Sequence, residues 1–545
     1  MGTIELVLAM LAAVVASGLL VRMLPFAVPT PLVQIGLGAL IASASDDAVR
    51  LDPDIFFLLF LPPLLFLDGW RIPKERLLRD KGLILGLALG LVFLTVLGMG
   101  LFLHWLIPSM PIPVAFALAA IVSPTDPVAV SAITNRVAMP RRLQHVLEGE
   151  SLLNDASGLV CFRFAVAAAV TGSFSLPAAT LTFLQLAIGG VAVGATLTMA
   201  VIITKNAFNS HFGEDTGSQV LISLLLPFAA YQVAEHVHCS GILAAVAAGV
   251  TMSYLELSGR ALSSTRMQRT AVWDTLQFAL NGIMFVLLGE QLPDILERSI
   301  TVVREADHHN PLWLAVYVLS INAGLAAIRF AWVLGTLKVN ALRARLRGEA
   351  PSAPPSARVI AAASVAGVRG AITLAGVLTL PLTLADQTPF PARDLTIFLA
   401  AGVIIVSLLT ANVFLPRLLR GLDIPVETDE QLGVDRARVA AAAAAIGAIR
   451  ERIDAPAANA EDTDLYTEVA ARVMDQYRRR IDGRTQPDET AARIRRGDLI
   501  ERDIRLAGLR AERDTVFALT RAQQVSDDAA RHLVREIDLM EERLK

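Results

Sequence analysis

The sequence predicts an all-α polytopic membrane protein with about 13 transmembrane helices and a helical cytoplasmic tail. Three observations lead to this fold class. Of the 545 residues, 54% are hydrophobic. Stretches of about 20 mostly apolar residues recur along the first 420 positions, and each is long enough to cross a bilayer of about 30 Å. Beyond Arg420 the composition changes abruptly to a charged, alanine-rich sequence that is typical of amphipathic helices.

Hydropathy and length define the predicted spans and two domains. The domains are a transmembrane domain at 1–420 and a cytoplasmic helical domain at 421–545. The spans cover roughly 3–23, 29–43, 54–69, 82–107, 111–135, 141–170, 178–204, 218–236, 239–257, 271–290, 312–337, 358–381 and 394–419.

The connections between the spans alternate in charge. Four of them are basic: RIPKERLLRDK, NRVAMPRR, SGRALSSTRMQR and KVNALRARLRGEA. The connections on the opposite side contain few Lys and Arg residues; they are SASDDAVRLDPD, IPSM, TGSFSLP and TLADQTPFPARD. Because basic connections stay in the cytoplasm, we expect the N-terminus outside and the C-terminal tail in the cytoplasm.

The fifth span contains the run AIVSPTDPVAV, in which Pro124 and Pro127 bracket Thr125 and Asp126. Each proline removes a backbone donor and clashes with the carbonyl one turn earlier, so two prolines three residues apart predict a local break. Broken backbone at membrane depth is tolerated where it lines a cavity or is buried in protein. Asp126 therefore lies at a predicted break, where freed carbonyls and half-helix ends can bind ions.

The sixth span carries four polar residues, Glu150, Ser151, Asn154 and Asp155, at offsets that share one helical face. Ionisable side chains facing lipid cost at least about 2.5 kcal/mol each, so this face is expected to meet protein or water. Carboxylate, hydroxyl and amide oxygens suit a hard monovalent cation. They also suit Mg²⁺ or Ca²⁺, which leaves a divalent site open at this point.

Two arginines lie within later spans. Arg329 in the eleventh span and Glu150 in the sixth each lie about five residues to the cytoplasmic side of their helix centres, which puts both roughly 7–8 Å below the mid-plane. Equal depth predicts a buried ion pair, which leaves Asp155 unpaired. Arg369 lies between Gly367 and Gly370 in the twelfth span, where glycines permit a second broken helix.

The two predicted breaks suggest a repeat. Spans one to six can be laid over spans eight to thirteen, so that the fifth span matches the twelfth. Seven crossings separate the two starts, and the six-helix units therefore have opposite orientation. Two inverted six-helix repeats with two crossing broken helices are typical of secondary transporters.

The motifs TDPVAV, ESLLND, FLPPLLFLDGW and GVRGA resemble the monovalent cation:proton antiporter-1 family, and together they span the membrane domain. This family contains the bacterial NhaP-type antiporters and the animal sodium/proton exchangers. PPLLFLDGWRIPKERLLRDKG is most similar to the bacterial YjcE branch. The resemblance implies a homodimer in the bacterial inner (plasma) membrane and electroneutral Na⁺/H⁺ exchange by a core that moves against a dimer scaffold. It implies no cofactor beyond the transported Na⁺ and H⁺.

Carried over by position, the resemblance also implies roles for individual residues. Asp155 corresponds to the essential ion- and proton-binding aspartate, and with Asp126 it would be the carboxylate ligand of the metal cation. Glu150 and Arg329 correspond to a structural ion pair, and Arg369 to the arginine of the second broken helix. The implied cation- and proton-binding residues are Asp155, Asp126, Asn154, Ser151 and Thr125.

The third span departs from the family pattern. Many relatives have an acidic residue four positions after the second proline, but Leu67 occupies that place here and the acid is Asp68. One residue is a rotation of about 100° on a helix. We therefore leave Asp68 out of the predicted ion ligands.

The predicted mechanism is competition of Na⁺ and H⁺ for Asp155, with alternating access. Arginine does not release a proton in the relevant range, so neither Arg329 nor Arg369 carries a second one. One carboxylate then exchanges one H⁺ for one Na⁺, and no net charge crosses.

Transport of another cation, a cation channel and a membrane enzyme are the alternatives to Na⁺/H⁺ exchange. K⁺ or Li⁺ can replace Na⁺ on the same fold, and a cation channel can use the same ligands. A membrane enzyme would need a nucleophile and a base at shared depth, which the eight histidines do not supply, so no enzymatic activity is expected. The net charge of −3 gives no indication of a nucleic-acid partner, and none is expected. The bilayer and a monovalent cation are the expected partners.

Overall fold

The structure, a computed structural model, describes residues 3–24, 28–44, 53–71, 82, 86–126, 130, 133, 139, 141–172, 176–256, 262–305, 312–346, 356–384, 387–420, 428–454, 463–482 and 488–544. Regular structure in these ranges is helical, apart from a single bridge between Thr383 and Pro389. The all-α prediction is therefore confirmed. The chain divides into two compact units, Met1–Leu422 and Asp423–Lys545, and the predicted boundary adjoins residues 421–427, which lie outside the described residues.

The first unit contains fourteen α-helices in its described part, and a π-helical turn, Gly86–Leu91, precedes the fourth. They are α1 (Thr3–Met23), α2 (Thr30–Ala44), α3 (Pro53–Arg71), α4 (Val92–Leu106), α5 (Ile112–Ile121), α6 (Arg141–Thr171), α7 (Leu176–Phe212), α8 (Thr216–His236), α9 (Gly241–Glu256), α10 (Ser263–Glu305), α11 (Leu312–Leu346), α12 (Ala357–Val365), α13 (Ala371–Leu378) and α14 (Arg393–Leu419).

Seven helices in the described ranges are long and apolar enough to cross a membrane. Each of the predicted spans overlaps a described helix, while the exact count of thirteen stays a prediction. Several helices run well past the predicted span. The tenth span, predicted at 271–290, lies within α10 at Ser263–Glu305, because hydropathy detects only the apolar part of a helix and not its charged ends.

The helices of this unit pack in two groups. In the first, α2 lies along α10, α3 and α7 lie along α9, and α1 and α8 complete the set; we call α1–α3 with α7–α10 the α10 group. In the second, α5 packs against α4 and α6, and α14 packs against α11, α12 and α13; we call α4–α6 with α11–α14 the α6 group. The groups meet where α10 contacts α14 and where α13 contacts α3 and α10.

Small residues allow the closest approach within the α10 group. A Cβ atom on Gly38 of α2 would collide with the carbonyl oxygen of Val286 in α10, and one on Gly289 would collide with the carbonyl oxygen of Ile35. Close backbone approach at small residues is a common way for membrane helices to associate, because lipid provides no hydrophobic driving force between them.

Two interruptions of the helices meet inside the unit. Helix α5 ends at Ile121, and residues 122–126 are not helical; α12 ends at Val365, and α13 begins at Ala371. The backbone N–H of Asp126 donates a hydrogen bond to the carbonyl oxygen of Val368 at 2.7 Å, so the two interruptions are in direct contact. Both predicted breaks are present. Pro127 and most of the predicted second half of the fifth span lie outside the described residues.

The second unit is helical in its described residues. Its helices are α15 (Thr428–Asp454), α16 (Thr463–Asp482), α17 (Asp488–Arg521) and α18 (Asp527–Leu544), and they pack as the pairs α15–α16 and α17–α18. Arg513 of α17 joins the second pair by ion pairs to Glu541 and, at 2.8 Å, to Asp538.

Candidate cation-binding site

The polar face of α6 is buried in the middle of the first unit. Glu150, Ser151, Asn154 and Asp155 expose 1%, 3%, 1% and 3% of their surfaces. Residues at these offsets share one face of a helix, and that face is turned towards the interruption after α5. The polar residues therefore form an internal site and not a surface.

Glu150 is held by Arg329 of α11. The two guanidinium nitrogens Nη1 and Nη2 of Arg329 donate to Oε1 and Oε2 of Glu150 at 2.5 and 2.7 Å. The remaining guanidinium donor, Nε, bonds to the carbonyl oxygen of Ala363 at 2.9 Å. A two-point arrangement of this kind satisfies both carboxylate oxygens. The negative charge of Glu150 is thus compensated, as the depth argument predicts.

Thr125 and Asn154 connect the interrupted segment to α6. The amide nitrogen Nδ2 of Asn154 donates to the hydroxyl of Thr125 at 3.0 Å, and that hydroxyl lies 3.5 Å from Oε1 of Glu150. The amide oxygen Oδ1 of Asn154 is buried and has no hydrogen-bond partner among the described residues. Buried polar atoms are rarely left without a partner, so this oxygen is available to a cation or a water.

Opposite charges lie at the two interruptions. The carboxylate of Asp126 lies against Gly370, the residue before the first turn of α13, where a helix N-terminus favours negative charge. The guanidinium of Arg369 donates from Nε to the carbonyl oxygen of Val122 at 2.9 Å and from Nη1 to that of Gly367. These carbonyls follow the C-terminal ends of α5 and α12, where positive charge is favoured. Arg369 therefore neutralises the helix ends, which leaves the carboxylate of Asp126 facing the site.

Asp155 and Asp126 face a common cavity of about 30 Å³. Space of this size holds a water or two, or one partly hydrated monovalent cation. The hydroxyl of Ser151 lies 3.5 Å from Oδ2 of Asp155 at its wall. The lining residues are Leu64, Asp68, Pro124, Thr125, Asp126, Ser151, Asp155, Gln277, Asn281 and residues 370–373. Within the described residues, no three His, Cys, Asp or Glu side chains converge closely enough to form a ready-made metal site.

A sequence model of one protein family matches residues 7–421, which is most of the chain. That family is described as "Sodium/hydrogen exchanger, transmembrane". The chain belongs to the sodium/hydrogen exchanger family. This membership confirms the resemblance drawn from the motifs TDPVAV, ESLLND and GVRGA.

Individual members of the sodium/hydrogen exchanger family are similar over nearly the whole chain. The Escherichia coli (strain K12) protein named as the Na(+)/H(+) exchanger YjcE is 41% identical over 542 residues, which are 98% of this chain and 97% of that one. A Bacillus pumilus protein named "Sodium, potassium, lithium and rubidium/H(+) antiporter" is 38% identical over 97% of this chain and 76% of its own length.

A solved exchanger structure has the same fold. The sodium proton antiporter MjNhaP1 from Methanocaldococcus jannaschii aligns with a TM-score of 0.56 and 17% sequence identity, over 77% of this chain and 99% of that one. At this identity the match shows the fold alone, and it supports the all-helical antiporter architecture.

In this member of the sodium/hydrogen exchanger family, Asp68 lines the cavity, although its position along the sequence did not predict it as a ligand. Leu64 lies one helical turn earlier in α3 and also lines the cavity, so the two residues share the inward face. Leu67, at the position where relatives carry the acid, exposes 1% and is packed among apolar neighbours. The one-residue offset therefore does not turn Asp68 away from the cavity, while its exclusion from the ion ligands stays a prediction.

Two further polar residues of the cavity were missed in the sequence, Gln277 and Asn281 of α10. They lie four residues apart on one face of a span whose hydropathy is otherwise high. That spacing indicates a polar face within the span, but it does not specify which helix the face meets. Arg163 lies in the second half of α6 and does not line the cavity. It donates instead to Glu235 at 3.0 Å and to the Tyr231 hydroxyl at 3.2 Å, both on α8.

Proposed function

We propose that this protein exchanges Na⁺ for H⁺ across the bacterial inner membrane, with Asp155 binding either ion in turn. The observation that carries the proposal is the burial of Asp155, which exposes 3% and lines a polar cavity beside two interrupted helices. A carboxylate in such a place binds a cation or a proton, because an uncompensated charge at membrane depth is costly. Membership of the sodium/hydrogen exchanger family supports the same chemistry.

The other residues of the site have distinct proposed roles. Asp126, Ser151 and Thr125 contribute oxygens to the cavity lining, Asn154 lies next to it through its hydrogen bond to Thr125, and Asp155 with Asp126 would hold the cation. Glu150 forms the buried ion pair with Arg329 and has a structural role in this proposal. Arginine stays protonated, so one exchangeable carboxylate gives one H⁺ for one Na⁺ and no net charge movement. No cofactor and no enzymatic step are part of this proposal.

Exchange is tested in proteoliposomes with a pH-sensitive dye inside. Addition of Na⁺ outside should drive H⁺ out for the wild-type protein. Asp155→Asn keeps the side-chain volume and removes the titrating group, so it should abolish this signal while the thermal unfolding profile stays unchanged. Asp215→Asn is the matched control, since Asp215 caps the N-terminus of α8 far from the cavity and Asn caps equally well. Retained exchange in Asp155→Asn contradicts the proposal.

Competition between the two ions has its own signature. If Na⁺ and H⁺ occupy Asp155 in turn, lowering the pH raises the KM for Na⁺ and leaves the maximal rate unchanged. A maximal rate that falls with unchanged KM would mean that the proton binds elsewhere. An electrical current that scales with the imposed Na⁺ gradient would contradict the one-to-one stoichiometry, and a cation leak without proton movement would favour a channel.

The selectivity among alkali cations is a second question, raised by the Bacillus pumilus relative whose name includes potassium, lithium and rubidium. A K⁺/H⁺ antiporter on the same fold is the alternative proposal. Parallel assays with Na⁺, Li⁺, K⁺ and Rb⁺ at equal concentrations separate the two.

The proposed topology has the N-terminus outside and residues 421–545 in the cytoplasm, and the proposed assembly is a homodimer. Four basic connections, of which KVNALRARLRGEA is one, support the orientation. Single cysteines introduced near each terminus, after replacement of Cys161 and Cys239, should react with an impermeant reagent only from the predicted side. Chemical cross-linking in membranes tests the dimer.

A further inference from the structure

The cavity is built by both helix groups. Asp126 and Asp155 belong to the α6 group, whereas Asn281 belongs to α10, which packs along α2 and α1. The side-chain amide of Asn281 forms no hydrogen bond to any described residue, although it lines a polar cavity. Its neighbour Gln277 differs, since the Oε1 atom of Gln277 accepts a hydrogen bond from Nη1 of Arg71 at 2.7 Å. Asn281 is thus the amide of α10 that is free to meet an ion.

We infer that Asn281 is a cation ligand supplied by the α10 group and that it determines how well the larger alkali cations bind. This inference rests on the proposed function. It assigns to α10 a part in ion selectivity, whereas the cation-binding residues proposed above lie on α6 or on the interrupted segment after α5.

The chemistry of an amide oxygen explains why the loss of Asn281 should weaken the binding of large alkali cations more than that of small ones. Carboxylate oxygens carry full charge and favour small cations, which hold their ligands at short distance. An amide oxygen is neutral, and the number and field strength of such ligands govern the preference between Na⁺ and K⁺. Hard cations of larger radius take more oxygen ligands. Loss of the Asn281 amide therefore costs K⁺ and Rb⁺ more than Na⁺ and Li⁺.

The position of Asn281 also predicts that its loss weakens cation binding from only one side of the membrane. In alternating access, one helix group moves relative to the other around the ion. An ion held by Asp155 travels with the α6 group, and Asn281 stays with α10. The cavity in this arrangement extends towards Asp68, near the C-terminal end of α3, which is the cytoplasmic end in the proposed topology. Asn281 therefore contributes to binding from the cytoplasmic face alone.

The experiment compares Asn281→Ala with Asn322→Ala in everted and right-side-out membrane vesicles from a strain without other cation/proton antiporters. Asn322 is a matched control, because it is an asparagine within a membrane helix whose amide donates to the carbonyl oxygen of Val318 and does not line the cavity. The readout is the KM for Na⁺, K⁺ and Rb⁺ in dye-monitored exchange, with the cytoplasmic face presented by the everted vesicles.

The expected result is a KM for K⁺ and Rb⁺ raised on the order of fivefold in everted vesicles of Asn281→Ala, with the KM for Na⁺ changed roughly twofold at most. Right-side-out vesicles should match the wild type. Asn281→Asp keeps an oxygen at this position and should lower the KM for all three cations, which also guards against a variant that simply misfolds.

Three results overturn the inference. In the first, Asn281→Ala has the same KM values as Asn322→Ala. In the second, it raises the KM for Na⁺ and the KM for K⁺ equally. In the third, it changes the KM equally from both faces of the membrane. Failure of the proposed function itself is distinguishable, because the wild-type vesicles would then show no cation-coupled proton movement with any of the three ions.

Discussion

Glu150 and Arg329 form a two-point ion pair in which both side chains are almost completely buried, at 1% and 5% exposure. The pair joins α6 to α11, and through Nε of Arg329 it also joins α11 to the carbonyl oxygen of Ala363 in α12. Three helices of the α6 group therefore depend on one guanidinium. Removing one partner leaves the other charge uncompensated in a low-dielectric interior.

We expect Glu150→Ala to destabilise the folded protein by about 3–5 kcal/mol, because Arg329 then remains buried without its carboxylate. The measurement is thermal unfolding in detergent, followed by intrinsic fluorescence. The double variant Glu150→Leu/Arg329→Met is the control, since an apolar pair of similar volume should recover much of the loss. An unchanged melting temperature in Glu150→Ala would show that the pair does not hold these helices together.

Gly370 leaves no room for a side chain beside Asp126. A Cβ atom at this position would collide with the carboxylate, so Gly370→Ala should displace Asp126 and lower the exchange rate roughly tenfold or more. Gly36→Ala is the matched control, because nothing lies within 4 Å of a Cβ atom there. Exchange in proteoliposomes is the measurement, and equal rates in the two variants would contradict the tight fit.

The Thr125 hydroxyl holds the interrupted segment to α6. Thr125→Val removes the acceptor of the Asn154 amide, which then stays buried without a partner, and we expect a loss of about 1–3 kcal/mol in the free energy of unfolding together with slower exchange. Thr125→Ser keeps the hydroxyl and should retain both. If the Val and Ser variants behave alike, the hydrogen bond has no part in the site.

Asp68 adds a third carboxylate to the lining of the cavity that Asp126 and Asp155 share. Its charge raises the local concentration of cations, so Asp68→Asn should increase the KM for Na⁺ several-fold and leave the maximal rate close to wild type. Rates measured over a range of Na⁺ concentrations test this, with Asp215→Asn as the control outside the cavity. Complete loss of exchange would instead make Asp68 an essential ligand.

The sequence was sufficient for features that depend on position along a helix. Prolines around Asp126 and glycines around Arg369 predicted the two interruptions, and spacing predicted the polar face of α6. Equal depth predicted the Glu150–Arg329 pair without knowledge of which helices are neighbours. Hydropathy, by contrast, missed the charged ends of α10.

Features that depend on contacts between helices could not be predicted in this way. Asn281 and Gln277 reach the cavity because α10 meets α13, and no spacing within α10 specifies that neighbour. The inward direction of Asp68 likewise depends on how α3 packs, since Asp68 and Leu64 both line the cavity and the offset from relatives did not indicate this. In a uniformly apolar helix the sequence does not mark which side faces lipid and which faces protein.

The hydrogen bond from Asp126 to Val368 has a mechanical consequence. Because Arg369 in turn reaches back to Val122, each interruption is hydrogen-bonded to the backbone of the other. Asp126 and Arg369, which carry opposite charges, therefore lie on two segments that are joined directly. A displacement of one segment alone would break these bonds, so we expect the two segments to move together.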